Sequence, residues 1–109
     1  MAIFQSTEFN FTHLNANGTT VLSAPQAGVG SAYAFLHSIT INTKGAAANI
    51  CTVYNNSAGS GDVIAVLDTV NGQIQTMFYD VKCPAGLTIV LATGTAADIT
   101  VAWRKGSQE

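Results

Sequence analysis

Charge is what this sequence has least of. Only 9% of its 109 residues are Asp, Glu, Lys or Arg, against roughly a quarter in ordinary soluble domains. Among the four Lys and Arg residues only Arg104 and Lys105 are adjacent, so there is no basic cluster to neutralise phosphates, and no nucleic-acid partner is expected. No apolar run reaches the about 18 residues of a spanning helix, so no membrane partner is expected either. The N-terminal MAIFQSTEFNF has no basic region followed by an apolar run; no secretory signal is read there, and folding is expected in a cytoplasm. Two cysteines, Cys51 and Cys83, stand far apart from each other and from His13 and His37, which is not the close-pair spacing of a zinc site. In a reducing compartment each is expected as a free, buried thiol.

Catalytic groups are equally sparse. His13, His37, Glu8, Asp62, Asp68, Asp80, Asp98 and the two thiols fall into no motif that pairs a nucleophile with a base. The glycines at 28, 30, 59 and 61 do not link a strand to a helix as a phosphate loop does. The expectation is a protein that is not an enzyme, with no catalytic residue, no metal and no cofactor. His37 alternates with Phe35 and Ile39 and reads as a core or interface histidine with one hydrogen-bond partner.

What is abundant is strand. Gly86 to Arg104, GLTIVLATGTAADITVAWR, reads as two strands around Thr93-Gly94-Thr95 and predicts a hairpin. Ile99, Val101 and Trp103 share one face of its second arm, while the first arm is apolar on both, as in the middle of a sandwich. Further strands are predicted over AIFQSTEFNF, TTVLSA, YAFLHSITINT, NICTVYN, DVIAVLDTV and IQTMFYDV. Lys44 to Ala48 would close a second hairpin, and Asn71-Gly72 carries the strongest type I′ hairpin signal. In YAFLHSITINT the expected core face is Tyr33, Phe35, His37, Ile39 and Ile41. DVIAVLDTV, with an apolar centre on both faces, is expected in the middle of a sheet. About eight strands at regular spacing predict one all-β domain over residues 1–109, a single antiparallel β-sandwich or jelly roll, with 1–14 as a possible extended arm.

Two stretches carry more large apolar groups than one buried face explains. Met77, Tyr79 and Val81 share one face of their strand and Ile74 and Phe78 the other; Phe4 opposes Ile3, Phe9 and Phe11. A monomer of this size seldom leaves such groups in a contiguous exposed patch, so Phe4, Phe9, Phe11, Met77 and Tyr79 are the interface candidates.

The texture of YAFLHSITINTKGAAANICTVYNN, then VIAVLDTV, then GLTIVLATGTAADITVAWR, resembles small structural proteins of tailed bacteriophages, over roughly Tyr33 to Arg104. The resemblance implies a virion component made in the host cytoplasm, first of all a head decoration or cement protein that binds the major capsid protein or another virion protein, often as a homotrimer. A tail or fibre component is the second implication. From the residues alone, a carbohydrate-binding module using Tyr33, Tyr54, Tyr79 and Trp103 is the other open reading.

Overall fold

The computed structural model describes residues 9–24, 32–71 and 75–107. Eight strands follow one another: β1 Asn10–Leu14, β2 Gly18–Ser23, β3 Ala32–Thr43, β4 Ile50–Asn55, β5 Asp62–Asp68, β6 Thr76–Cys83, β7 Leu87–Ala92 and β8 Asp98–Ser107, with no helix among the described residues. They form two four-stranded sheets, β1-β8-β3-β6 (sheet A) and β2-β7-β4-β5 (sheet B), antiparallel throughout. That order is the jelly roll, one of the double-sheet solutions that cover the apolar faces of antiparallel strands. Residues 1–8 lie outside the described residues, while the rest of the expected arm, from Asn10, is the edge strand β1 of sheet A.

Three expected hairpins are corrected by this topology. β3 and β4, β5 and β6, and β7 and β8 each belong to opposite sheets, so their connections cross the end of the sandwich. Only β4 and β5 pair as sequence neighbours. Turn residues reverse the chain locally, but burial of a face decides which strand pairs with which. At Asn71 the reversal is built by Asp68, whose carboxylate accepts from the Val70 and Asn71 backbone N–H groups and the Asn71 amide at 2.9–3.0 Å. Thr69 then bonds Asn49 across the β3–β4 connection.

A second correction concerns β3. Its core residues are Ala34 and Leu36, then Ile39 and Ile41, so the phase of alternation changes midway. Leu36 stands opposite Trp103 and Ser38 opposite Ala102, which leaves His37 as an extra residue in β3 against β8. On the other side, Leu36 opposes Val81 and Ser38 opposes Phe78, so Tyr79 and Asp80 of β6 face His37 alone. A bulge shifts every later side chain to the other face. Tyr33, Phe35 and His37 are thereby excluded from the core they were expected to line. The third correction is β5: it is an edge strand, with Val63 and Val66 51% and 62% exposed. β7 is central and almost wholly buried, and Ile99, Val101 and Trp103 do point inward.

The core lies between Leu36, Ile39, Ile99 and Val101 of sheet A and Val53, Leu87, Ile89 and Leu91 of sheet B, all essentially inaccessible to water. Each such side chain contributes on the order of 1.5–3 kcal/mol. Cys51 and Cys83 are free and belong to the same core.

Candidate functional site

The outer face of sheet A carries the chain's aromatic surface. On β1, Asn10 is level with the inward Trp103 and Phe11 with Ala102, so Phe9, Phe11 and His13 face outward. Phe35 is level with Arg104 on β8 and with Lys82 on β6. The bulge turns His37 out among these rings. Phe9 stacks on the His37 imidazole with centroids 4.3 Å apart, Phe78 meets it edge-on at 5.4 Å, and Phe9 and Phe35 lie 6.2 Å apart. The Arg104 guanidinium sits 5.4 Å from the Phe9 ring and 5.1 Å from Phe35, and the Lys82 ammonium 4.5 Å from Tyr33. Cation–π contacts at such exposed positions are worth ~0.5–1 kcal/mol each.

At the centre, His37 Nδ1 lies 2.5 Å from Asp80 Oδ1. Asp80 has φ of 49°, in the left-handed region where a non-glycine residue is strained. The two bulges and this backbone hold an imidazole between two phenyl rings on an exposed face. Toward the start of β8 the same face becomes polar: Asp98 Oδ1 takes His13 Nε2 at 2.6 Å and the Asn42 amide at 3.0 Å, while Asn42 also donates to Thr100. Those bonds, Asn42 first, hold the Asp98 carboxyl below its ordinary pKa.

Of the interface candidates, Phe9 is 39% and Phe11 75% exposed on this face. Phe4 lies outside the described residues. Met77 and Tyr79 turn inward, half-buried against the core, and the exposed group of their strand is Phe78 at 66%. The signal for Phe78 lay in its register: it alternates with Asp80 and Lys82, and the strand face that carries charges is the outer one. Phe35, His37 and Arg104 were missed because only the bulge brings them together. The four aromatics of the carbohydrate reading do not share a face. Trp103 is 8% exposed and donates inward to Thr12 Oγ1, Tyr79 packs on the core, and Tyr54 belongs to sheet B.

Burial pushes the Cys51 thiol up to about 12 and raises Cys83 as well, so neither is a nucleophile near neutrality. No three His, Cys, Asp or Glu among the described residues gather as a metal centre would require. No helix among them is long and apolar enough to cross a membrane. Compared with protein-family models and with curated proteins, the chain matches none. What this face offers chemically is adhesion: flat rings, a few cations and paired carboxylates.

Proposed function

We propose that this chain is a non-enzymatic virion structural protein of a tailed bacteriophage, a capsid decoration or cement protein that self-associates as a homotrimer and stabilises the head lattice. The observation that carries the reading is the aromatic outer face of sheet A, with Phe11 and Phe78 largely exposed on a chain that has few charges to oppose contact. The jelly roll supports it by analogy, being an architecture of viral capsid domains as well as of lectins.

A cement protein works without a tight individual site. Each copy that binds the assembled lattice and not its free subunits shifts assembly by mass action, and many modest contacts add up. A trimer on a three-fold axis engages three equivalent sites at once, which raises its effective affinity. In this reading the β1 edge, with Phe9 and Phe11, faces the lattice.

The test is heat resistance of particles with and without the protein. Particles lacking it should release their genome at a lower temperature, and adding the purified protein should restore the difference. Equal resistance of the two particles sinks the cementing role.

A further inference from the structure

We propose that copies of this chain meet edge to edge, β5 of one pairing antiparallel with β2 of the next. Sheet B then runs on from copy to copy, and the outer face of sheet A is left to the lattice. The proposal rests on the self-association in the reading above and says how the copies meet. Away from sheet A, the large apolar side chains exposed among the described residues are Val21, Val63 and Val66, and all three stand on the two edge strands of sheet B. The middle of that sheet is covered by the chain itself. The β4–β5 connection folds back over it: Thr88 is fully buried and donates to the Asn56 carbonyl, and a Cβ on Gly59 would stand 3.0 Å from Val90 Cγ2. What sheet B leaves open is therefore its edges.

The register matches those two edges to each other. Val21 is level with Thr88, Thr88 with Tyr54 and Tyr54 with Val63, so these two valines end one row across the sheet; Thr19 and Val66 end the next row in the same way. An extra residue in β5, Ile64, is what brings Val63 to the same face as Val66. Level continuation then sets Val63 beside Val21 of the next copy and Val66 beside its Thr19, which covers all three valines at once. Three antiparallel steps separate β2 from β5, so they run in opposite directions. A copy turned about an axis along the strands keeps its strand directions, and its β2 meets β5 antiparallel. β2, GTTVLS, has no charge to oppose Asp62 or Asp68. Two β5 edges meeting each other would leave Val21 uncovered and would close at two copies, whereas unlike edges close into a ring when the rotation permits, three copies included. The β6 edge of sheet A is guarded by Lys82 and the left-handed Asp80, a charge and a bulge of the kind that keeps edges apart.

Mixing two variants tests the pairing. Val21→Asp spoils β2 and leaves β5; Val66→Asp spoils β5 and leaves β2. Both side chains are exposed, so the fold is expected to survive, as circular dichroism checks. At micromolar concentration, light scattering of the unaltered full chain should give three chain masses and each variant one, about a threefold fall, whereas the two variants mixed should give two, because one intact β5 then meets one intact β2. A variant that keeps the full assembly, or a mixture that stays at one mass, overturns the pairing and leaves the trimer to another surface. Should an aspartate variant unfold, Val21→Cys and Val63→Cys in one chain take its place. Within a copy those positions are three strand spacings apart, ~14 Å, too far for a disulfide. Air oxidation should therefore link chains to one another, and a non-reducing gel with single chains only overturns the pairing. A monomeric unaltered protein overturns the pairing and the trimer together, yet leaves the cementing role standing if particles still gain heat resistance from it.

Discussion

His37 and Asp80 meet where two bulges oppose each other, Nδ1 to Oδ1 at 2.5 Å, and the Asp80 backbone is left-handed to allow it. The extra residue decides the character of sheet A. His37 changes the phase of β3, so that Ile39 and Ile41 enter the core while Phe35 and His37 leave it.

The conformation at Asp80 is testable apart from its hydrogen bond. Asp80→Ala and Asp80→Gly both lose the bond to His37, but alanine keeps the penalty of a positive φ that glycine escapes. Urea unfolding should place the glycine variant ~1 kcal/mol above the alanine variant. Equal midpoints would show that the bulge relaxes freely.

Asn49 is the corresponding fixed point at the end of the sandwich where the β1–β2, β3–β4, β5–β6 and β7–β8 connections gather. It is fully buried; its amide donates to Asn17 Oδ1 and to the carbonyls of Ala92 and Thr93, and its oxygen accepts from Thr69 Oγ1 and the Ala97 N–H. Asn49→Ala leaves several of these groups unpaired in the interior, at ~1–3 kcal/mol for each that water does not reach. A loss of about 3–5 kcal/mol is expected from denaturant midpoints, a large share of the 5–15 kcal/mol of a typical domain. Gly94→Ala should be severe in the same assay, because φ there is 62° and a Cβ would run into the carbonyl oxygens of Ala46 and Ala47.

Much of the fold was legible in the sequence, because alternation and turn residues are local and eight strands leave their marks one by one. Ile99, Val101 and Trp103 announced the inner face of β8 for that reason. Strand partnership was not local. Asn71-Gly72 and Thr93-Gly94-Thr95 say where the chain reverses, not that the next strand belongs to the other sheet. The face of sheet A was hidden by a single inserted residue, since period-two reading through His37 assigns every residue before it to the wrong side. Phe11 and Arg104 lie on strands without that insertion, so plain alternation places them outward; Phe35 could be placed only with the bulge known.

The thiols predict an alkaline limb of stability. Cys51 is pushed up to about 12 when folded, so as pH rises past its ordinary value of 9.0 the unfolded chain loses the proton while the folded chain keeps it. Ionisation then favours the unfolded state, and the denaturant midpoint should fall between those two values, with Cys51→Ala flattening the slope. At neutral pH, iodoacetamide should label Cys51 only as the protein unfolds.

At the acid end the sign reverses. Asp68 and Asp98 are held below 3.8 by their hydrogen bonds, Asn71 and Asn42 supplying the largest share respectively. The stability they confer is complete above the unfolded value and is lost as pH drops through the lower folded values. Denaturant midpoints should be level above about pH 5 and decline below the usual carboxylate range. Asp68→Asn, which keeps an acceptor for the Val70 and Asn71 N–H groups, should decline less.

Phe11 separates surface from core most cleanly. It is 75% exposed on the β1 edge, whereas Leu36 is wholly buried on the opposite face of the same sheet. Removing an exposed side chain that fills no cavity changes unfolding free energy by about 0.5 kcal/mol or less. Leu36→Ala forfeits transfer energy and leaves a void, at ~2–5 kcal/mol. If the β1 edge meets the lattice, Phe11→Ser should fold with an unchanged urea midpoint yet protect particles from heat poorly. Leu36→Ala should show the reverse at temperatures where it remains folded, binding particles normally despite a lowered midpoint. Full protection by Phe11→Ser would move the lattice contact away from β1, and a lowered midpoint in that variant would mean that Phe11 serves the monomer rather than its partner.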